Sequence, residues 1–258
     1  MKKRFITATA VFLAIVMVAT LTYAATKAKK TGSKAKQEVQ KELSIDDVRK
    51  KLQEDFPNTK AGEIRTSVFE GLYEVETGAN IIYYSPKGYI MFGELMEKTG
   101  KNITAERRTE IAAKNLSKLP LDKALKIGNG PKKVVLFTDP DCPYCRKVDD
   151  YLKTVRNDVT LYVFLFPLSQ IHPKAEAKSK WVLSAEDTTK AFDEAMSTKM
   201  DSVDVQTLKF ANNAADRLAE HMTYAARVGV RGVPALWIGD RYVPGANMPL
   251  IESLIKQK

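Results

Sequence analysis

The chain has 258 residues, a formal net charge of +10 at pH 7, two cysteines and two histidines. This length allows one large domain or two ordinary ones, and the balance of hydrophobic and charged residues excludes a disordered or collagen-like protein. Two cysteines exclude both a disulfide-stapled scaffold and a four-cysteine metal site. A strongly basic chain suggests a nucleic-acid or membrane partner, so the position of the positive charge matters.

The basic excess lies at the N-terminus. Residues 1–37 contain eight Lys or Arg and no Asp or Glu, which leaves residues 38–258 with a net charge of only +2. Because the body of the protein is nearly neutral, the sequence predicts no nucleic-acid partner.

The first residues are typical of an export signal, with a basic start, the apolar run Ala10–Ala19 and small residues near Ala24. We therefore predict a cleaved signal peptide over 1–24 and a mature protein in an oxidising compartment. A membrane anchor remains the alternative, because 22 uncharged residues separate Arg4 from Lys27. The lysine-rich residues 25–37 predict a flexible spacer.

Residues 38–100 predict a small α+β domain. A helix is expected to begin near Ser44. Three segments rich in β-branched and aromatic residues then predict an antiparallel meander: Thr66–Thr77, Asn80–Ser85 and Gly88–Leu95. About 60 residues are marginal for an independent core, so we expect this domain to pair with a second copy.

Residues 101–128 predict a linker helix. The segment Thr104–Leu119 is half charged or polar, with Thr104 as its expected N-cap, and a helix with so little apolar surface can bridge two domains. Over residues 129–258 the order is β-α-β, a long helical insert and β-β-α. This order predicts an α/β thioredoxin fold with an inserted helical subdomain. We expect His221, on a polar helix face, to be solvated.

The two cysteines stand three residues apart as Cys142-Pro143-Tyr144-Cys145, at a predicted strand-to-helix junction. Cys142 would occupy the helix N-terminus, where free N–H groups and the helix dipole favour a thiolate. Pro143 suits the first helical position because its missing N–H costs nothing there. We therefore predict a redox-active pair in which Cys142 is the nucleophile and Cys145, one turn further in, is the buried resolving thiol.

Charged neighbours act on this pair in both directions. Arg146 and Lys147 add positive charge beside Cys142, whereas Asp139 and Asp141 oppose them, and we expect a net lowering of the Cys142 pKa. The alternatives are weaker. A zinc site lacks two further ligands at helpful spacing, and a structural disulfide across so short a loop stabilises little.

A second motif, Gly232-Val233-Pro234-Ala235, stands at the start of a predicted strand. In a thioredoxin fold this proline is cis and faces the cysteine pair, which leaves the backbone of Val233 free to pair with a substrate peptide. The predicted substrate-binding residues are therefore Val233 and Pro234, together with Pro143 and Tyr144.

These motifs resemble the DsbC/DsbG family of periplasmic disulfide isomerases over about residues 40–258. The segments that carry the resemblance are Phe137–Cys145, Gly232–Pro234, Val243–Gly245, Phe69–Val75 and Ile82–Ser85. The resemblance implies a periplasmic, V-shaped homodimer built from a cystatin-like dimerisation domain, a linker helix and a thioredoxin-like catalytic domain. It also implies unfolded or misoxidised exported proteins as substrates and a DsbD-like membrane reductase as partner. The sequence contains no phosphate-loop, nucleotide or metal motif, so we expect no cofactor and no metal.

The chain departs from the family pattern in three places. The helical insert has no second cysteine pair, which DsbC-like members often carry, so we expect it to hold by packing alone. Val233 stands where family isomerases often have threonine and is similar to the oxidising DsbA branch, and Leu136 replaces the buried acid of thioredoxins. The alternatives are therefore a DsbG-like reductase of sulfenylated cysteines with chaperone activity, a DsbA-like oxidant, or a chaperone whose thiols matter little.

Overall fold

The computed structural model describes residues 43–257, so the predicted signal peptide (1–24) and spacer (25–37) lie outside the described residues. From Ile45 onward the chain forms one compact unit that contains two β-sheets. No helix within the described range is both long and apolar enough to cross a bilayer.

The N-terminal half is one helix and a four-stranded antiparallel sheet in the order β1-β2-β3-β4. Its elements are α1 (Ile45–Asp55), β1 (Ile64–Thr66), β2 (Tyr73–Thr77), β3 (Asn80–Ser85) and β4 (Tyr89–Met91). Val48 and Leu52 recur at helical spacing on α1 and pack against Val75 and Tyr84 of the sheet. The predicted meander is therefore present, and α1 covers one of its faces.

The predicted strand Thr66–Thr77 is divided in two. The chain leaves β1 at Ser67, whose hydroxyl accepts a hydrogen bond from the backbone N–H of Phe69. Gly71 follows with φ of +79°, a left-handed conformation that only glycine adopts easily. β-Propensity alone could not reveal this turn, because Val68 and Phe69 are also good strand formers.

Helix α2 (Ile103–Asn115) and the 3₁₀ turn Leu116–Lys118 after it cover nearly all of the predicted helical segment Thr104–Leu119. The N-cap of α2 is Asn102, which accepts from the backbone N–H of Ala105, and not Thr104. The Thr104 hydroxyl is buried instead, 2.5 Å from the hydroxyl of Tyr83. Beyond α2 come two 3₁₀ turns and β5 (Leu125–Ile127), which joins the second sheet.

The C-terminal half is a five-stranded mixed sheet in the order β5-β7-β6-β8-β9, with helices on both faces. Strands β6 and β7 are parallel, and the other neighbours are antiparallel. Its further elements are β6 (Lys132–Thr138), α3 (Pro143–Thr154), β7 (Val159–Leu165), α4 (Ala175–Ser184), α5 (Thr188–Ala195), α6 (Ala214–Val228), β8 (Ala235–Ile238), β9 (Arg241–Pro244) and α7 (Met248–Lys256).

Strand β6 explains why both faces of this sheet are covered. Its side chains alternate: Val134 and Leu136 pack in the layer with α3 and α7, whereas Val135 and Phe137 pack in the layer with α2 and α6. A strand buried on both faces is continuously apolar, as this one is. The strand ends at Thr138, immediately before the segment that carries the cysteine pair.

His221, on α6, is buried and not solvated as expected. Its Nδ1 accepts from the backbone N–H of Leu165 at 3.0 Å, and its Nε2 lies 3.0 Å from the carbonyl oxygen of Lys123. Burial lowers its pKa to about 4. A neutral imidazole thus satisfies two backbone groups that are far apart in sequence, which periodicity along α6 could not show.

Candidate active site

The cysteine pair lies at the N-terminal end of α3, directly after β6. Cys142 is the N-cap in extended backbone conformation, and Pro143 is the first helical residue. The backbone N–H of Cys142 donates to the carbonyl of Asp139, and the carbonyl of Cys142 accepts from the N–H of Arg146. The predicted strand-to-helix junction is therefore the place where the structure puts both thiols.

The two thiols are both buried and both reduced, but their proton affinities differ. A hydrogen bond from the Cys145 thiol lowers the pKa of Cys142 to about 6, and the backbone N–H groups of Cys145 and Tyr144 act in the same direction. Burial and the charge of Asp139 oppose this shift. Burial, and to a smaller extent the hydrogen bond to Cys142, raise the pKa of Cys145. Cys142 is therefore the thiol of the pair that ionises more readily.

The Val233–Pro234 segment faces the first thiol. The Val233–Pro234 peptide bond is cis, and the Cys142 Sγ lies 3.9 Å from the Val233 carbonyl oxygen. Pro234 is buried and Val233 is half-buried, whereas Pro143 and Tyr144 are exposed. Of the four residues predicted to bind substrate, Val233 lies against the Cys142 sulfur and precedes Pro234, whereas Pro143 and Tyr144 follow Cys142 in the chain.

Asp139 organises the segment that precedes the thiols, a role that sequence reasoning missed. Its fully buried carboxylate accepts from the backbone N–H groups of Asp141 and Leu168, both at 2.7 Å. The same carboxylate lies 2.9 Å from Nδ1 of His172. One side chain therefore ties the segment before Cys142 to the loop after β7.

Four further charges that the sequence did not connect form what we call the four-charge cluster: Asp141, Arg146, Lys178 and Asp201. The guanidinium of Arg146 donates two hydrogen bonds to Asp201, of 2.6 and 2.9 Å, and one of 3.2 Å to Asp141. Lys178 is fully buried and pairs with both acids. Its only sequence signal is a cation on the buried face of α4, between Ala175 and Val182.

The cluster corrects the expectation that the helical insert holds by packing alone. Lys178 and Asp201 belong to the helical insert, which lies between β7 and β8, whereas Asp141 and Arg146 flank the cysteines. Two charge-assisted pairs between the insert and the active-site turn therefore add to the apolar contacts of α4 and α5 with α3.

Comparisons with known proteins agree with this architecture. A family profile described as "Disulfide bond isomerase protein N-terminal domain" matches residues 25–105. A second profile, described as "Thioredoxin-like domain", matches residues 119–249, about half of the chain.

The relatives with similar sequences are named thiol:disulfide interchange protein DsbC. The chain is 36% identical over 152 residues to the probable thiol:disulfide interchange protein DsbC of Bordetella avium, covering 57% of this chain and 53% of that protein. It is 27% identical over 197 residues to the thiol:disulfide interchange protein DsbC of Salmonella typhimurium, covering 72% and 77%. A crystal structure of a disulfide interchange protein from Neisseria gonorrhoeae matches with 30% identity and a TM-score of 0.46, covering 54% of this chain and 96% of that one.

The match to the Bordetella relative spans about half of that protein's length. The two profiles lie in the order of the two sheets, and together they cover most of the described residues. The chain belongs to the thioredoxin-like domain family, and its N-terminal part is similar to the N-terminal domain of disulfide bond isomerases.

Proposed function

We propose that this protein is an exported thiol:disulfide interchange enzyme that isomerises incorrect disulfides, with Cys142 as nucleophile and Cys145 as resolving thiol. The observation that carries the proposal is the contrast between the two thiols. The pKa of Cys142 is lowered to about 6, so it is mostly thiolate at pH 7, whereas the pKa of Cys145 is raised. A nucleophile beside a protonated second thiol is what exchange chemistry needs.

The reaction follows from this contrast. The Cys142 thiolate attacks one sulfur of a substrate disulfide, forms a mixed disulfide and releases the other sulfur as a thiolate. When a second substrate thiol attacks the mixed disulfide, the substrate disulfide is rearranged and Cys142 returns as a thiolate with no net oxidation. When Cys145 attacks instead, the substrate leaves reduced and the protein holds a Cys142–Cys145 disulfide.

Four residues are proposed to hold the substrate beside the thiol: Val233, Pro234, Pro143 and Tyr144. The Val233 carbonyl oxygen lies 3.9 Å from Sγ of Cys142, just before β8 begins at Ala235. Tyr144 is 67% exposed, so it offers an aromatic surface to an unfolded chain. Backbone pairing at Val233 together with apolar contact at Tyr144 would bind substrates without selecting one sequence.

Residues 38–100 are proposed to form the dimerisation domain, residues 101–128 the linker, and residues 129–258 the catalytic domain. Large apolar side chains are exposed around the N-terminal sheet, including Phe92 at 78%, Tyr89 at 70% and Phe69 at 59%. Such a surface is typical of an interaction site. We propose a homodimer through this surface. We further propose a periplasmic location, with export directed by residues 1–24.

The Cys142–Cys145 disulfide, which forms when Cys145 releases a reduced substrate, must be reduced before the next cycle. This step needs two electrons from a dithiol donor, and we propose a DsbD-like membrane reductase in that role. The in vivo thiol state of Cys142 and Cys145 tests it: trapping with an alkylating reagent should find the pair mostly reduced. A mostly oxidised pair would favour an oxidant in place of an isomerase.

The direct test is the reactivation of scrambled ribonuclease in a glutathione buffer. We expect the protein to accelerate reactivation and Cys142→Ser to lose that acceleration, because serine cannot form the mixed disulfide. Acceleration that persists in Cys142→Ser would contradict the proposal.

A further inference from the structure

The four-charge cluster connects the active-site turn to the helical insert through side chains that flank the cysteine pair in sequence, Asp141 and Arg146. Arg146 is held on the turn side: its Nε donates to the Pro140 carbonyl at 2.7 Å, and its backbone N–H donates to the carbonyl of Cys142. On the insert side Asp201 accepts two further hydrogen bonds from the guanidinium. Arg146 is therefore held both by the turn that carries the thiols and by the insert.

The cluster is also electrically balanced. Asp141 and Asp201 supply two negative charges, and Arg146 and Lys178 supply two positive charges. Lys178 reaches both acids, with 3.0 Å between its Nζ and Oδ1 of Asp201. A fully buried ammonium needs such partners because its solvation by water is lost. Removing any one member leaves an unbalanced charge next to Cys142.

We propose that Asp201 and Lys178 are positioning residues for the exchange reaction, acting through Arg146 and Asp141 to hold the turn that carries Cys142 and to balance the charge beside its thiol. The proposal rests on the exchange function proposed above. It assigns a role in the chemistry to the insert, which contributes no cysteine.

The opposite end of α3 provides a matched control. There Arg156 donates two hydrogen bonds to Asp193 of the insert, of 2.5 and 3.2 Å. Asp193 and Asp201 are similarly exposed, at 36% and 45% of the side chain, and so are their arginines, at 21% and 18%. The two pairs differ in position, because Arg146 follows Cys145 directly whereas Arg156 lies beyond the end of the helix, and Asp201 alone of the two acids also pairs with a buried lysine.

The experiment measures the pH dependence of alkylation of the reduced full chain by iodoacetamide, which reports the pKa of Cys142. Asp201→Asn leaves a net positive charge beside the thiol, and we expect the pKa of Cys142 to fall by about half a unit, or about threefold in its acid dissociation constant. Lys178→Met leaves a net negative charge, and we expect a rise of similar size. Asp193→Asn should leave the pKa of Cys142 unchanged.

Shifts of opposite sign separate the proposal from a merely structural role, since general loosening of the turn would move both variants in one direction. Equal shifts in Asp201→Asn and Asp193→Asn, or shifts of the same sign in Asp201→Asn and Lys178→Met, would overturn it. If Lys178→Met does not fold, the proposal is tested by Asp201→Asn against Asp193→Asn: it stands if only Asp201→Asn lowers the pKa of Cys142 and fails otherwise.

Alkylation needs no protein substrate, so it stays independent of the proposed function. A wild-type protein that fails to reactivate scrambled ribonuclease would contradict the isomerase proposal while the alkylation profiles still test the cluster. Conversely, if the wild type is an active isomerase and the variants keep the wild-type pKa of Cys142, only the role of Asp201 and Lys178 is overturned.

Discussion

The two sheets of this protein bury their apolar side chains to different degrees. In the C-terminal sheet, the residues Val134–Thr138 of the central strand β6 are all buried, and helices cover both faces. In the N-terminal sheet, the strand β3 is likewise buried over residues 81–85, but the edge strand β4 has no fully buried residue, and Phe92, just after it, is among the most exposed apolar side chains of the described chain. The two sheets therefore differ at the β4 edge, where the N-terminal sheet leaves apolar side chains exposed.

This difference separates two tasks. A fully covered sheet gives the cysteine pair a rigid base, because a strand end and a helix N-terminus fix the backbone on either side of Cys142. An edge strand with exposed aromatic residues can associate with another chain, which the C-terminal sheet has little surface to do. Chemistry and assembly should therefore respond to different substitutions.

The largest expected effect lies at the covered sheet. In Cys145→Ala the mixed disulfide at Cys142 can no longer be resolved from within the protein. We expect substrate adducts to accumulate during incubation with scrambled ribonuclease, visible as a slower band on non-reducing gels that disappears with reductant. The oligomeric state should stay that of the wild type, as should that of a Cys142→Ser control, which forms no adduct. Equal adduct levels in Cys145→Ala and in the wild type would argue against Cys145 as resolving thiol.

Local features of this half could be predicted from sequence. The continuous apolar run of β6 indicates a strand buried on both faces, and Pro143 after Cys142 indicates a helix start. Both are properties of consecutive residues. The family resemblance then supplied the order of the two domains, and the profile matches confirm it.

The charges around the site could not be predicted in this way. Arg146 meets Asp201 across 55 residues, and Lys178 meets Asp141 across 37. Such pairs depend on how the insert folds back over α3, which leaves no periodic trace in the sequence. His221 shows the same limit, because its imidazole bonds to backbone groups of two other segments.

The second effect is a weaker dimer, and we expect it only from substitutions at the N-terminal sheet. Phe92→Glu places a charge in the proposed dimer surface, where it would be desolvated without a partner, and we expect the dimer to weaken by at least about tenfold in its dissociation constant. Light scattering across a dilution series measures this change. The pKa of Cys142 should stay at its wild-type value.

Ile171→Glu is the matched control for this substitution. Ile171 is 68% exposed and follows β7 of the covered sheet, so it offers a similar apolar side chain in the other half. We expect its oligomeric state to match the wild type. A dimer that survives Phe92→Glu but dissociates in Ile171→Glu would place the interface on the catalytic half.

The third effect concerns how the stability of the C-terminal sheet depends on pH. His221 is neutral when folded, with its pKa lowered to about 4, whereas an unfolded histidine titrates near 6.5. The unfolded state therefore binds the proton first as pH falls, so the stabilisation is complete above pH 6.5 and is lost progressively toward pH 4. We expect about 2–3 kcal/mol of the free energy of unfolding to disappear by pH 4.5 from this residue. Urea denaturation of the wild type and of His221→Gln measures it: glutamine can keep one donor and one acceptor but does not titrate, so the variant should lose less stability over this range. Parallel pH profiles for the two proteins would show that the acid sensitivity of the covered sheet arises elsewhere.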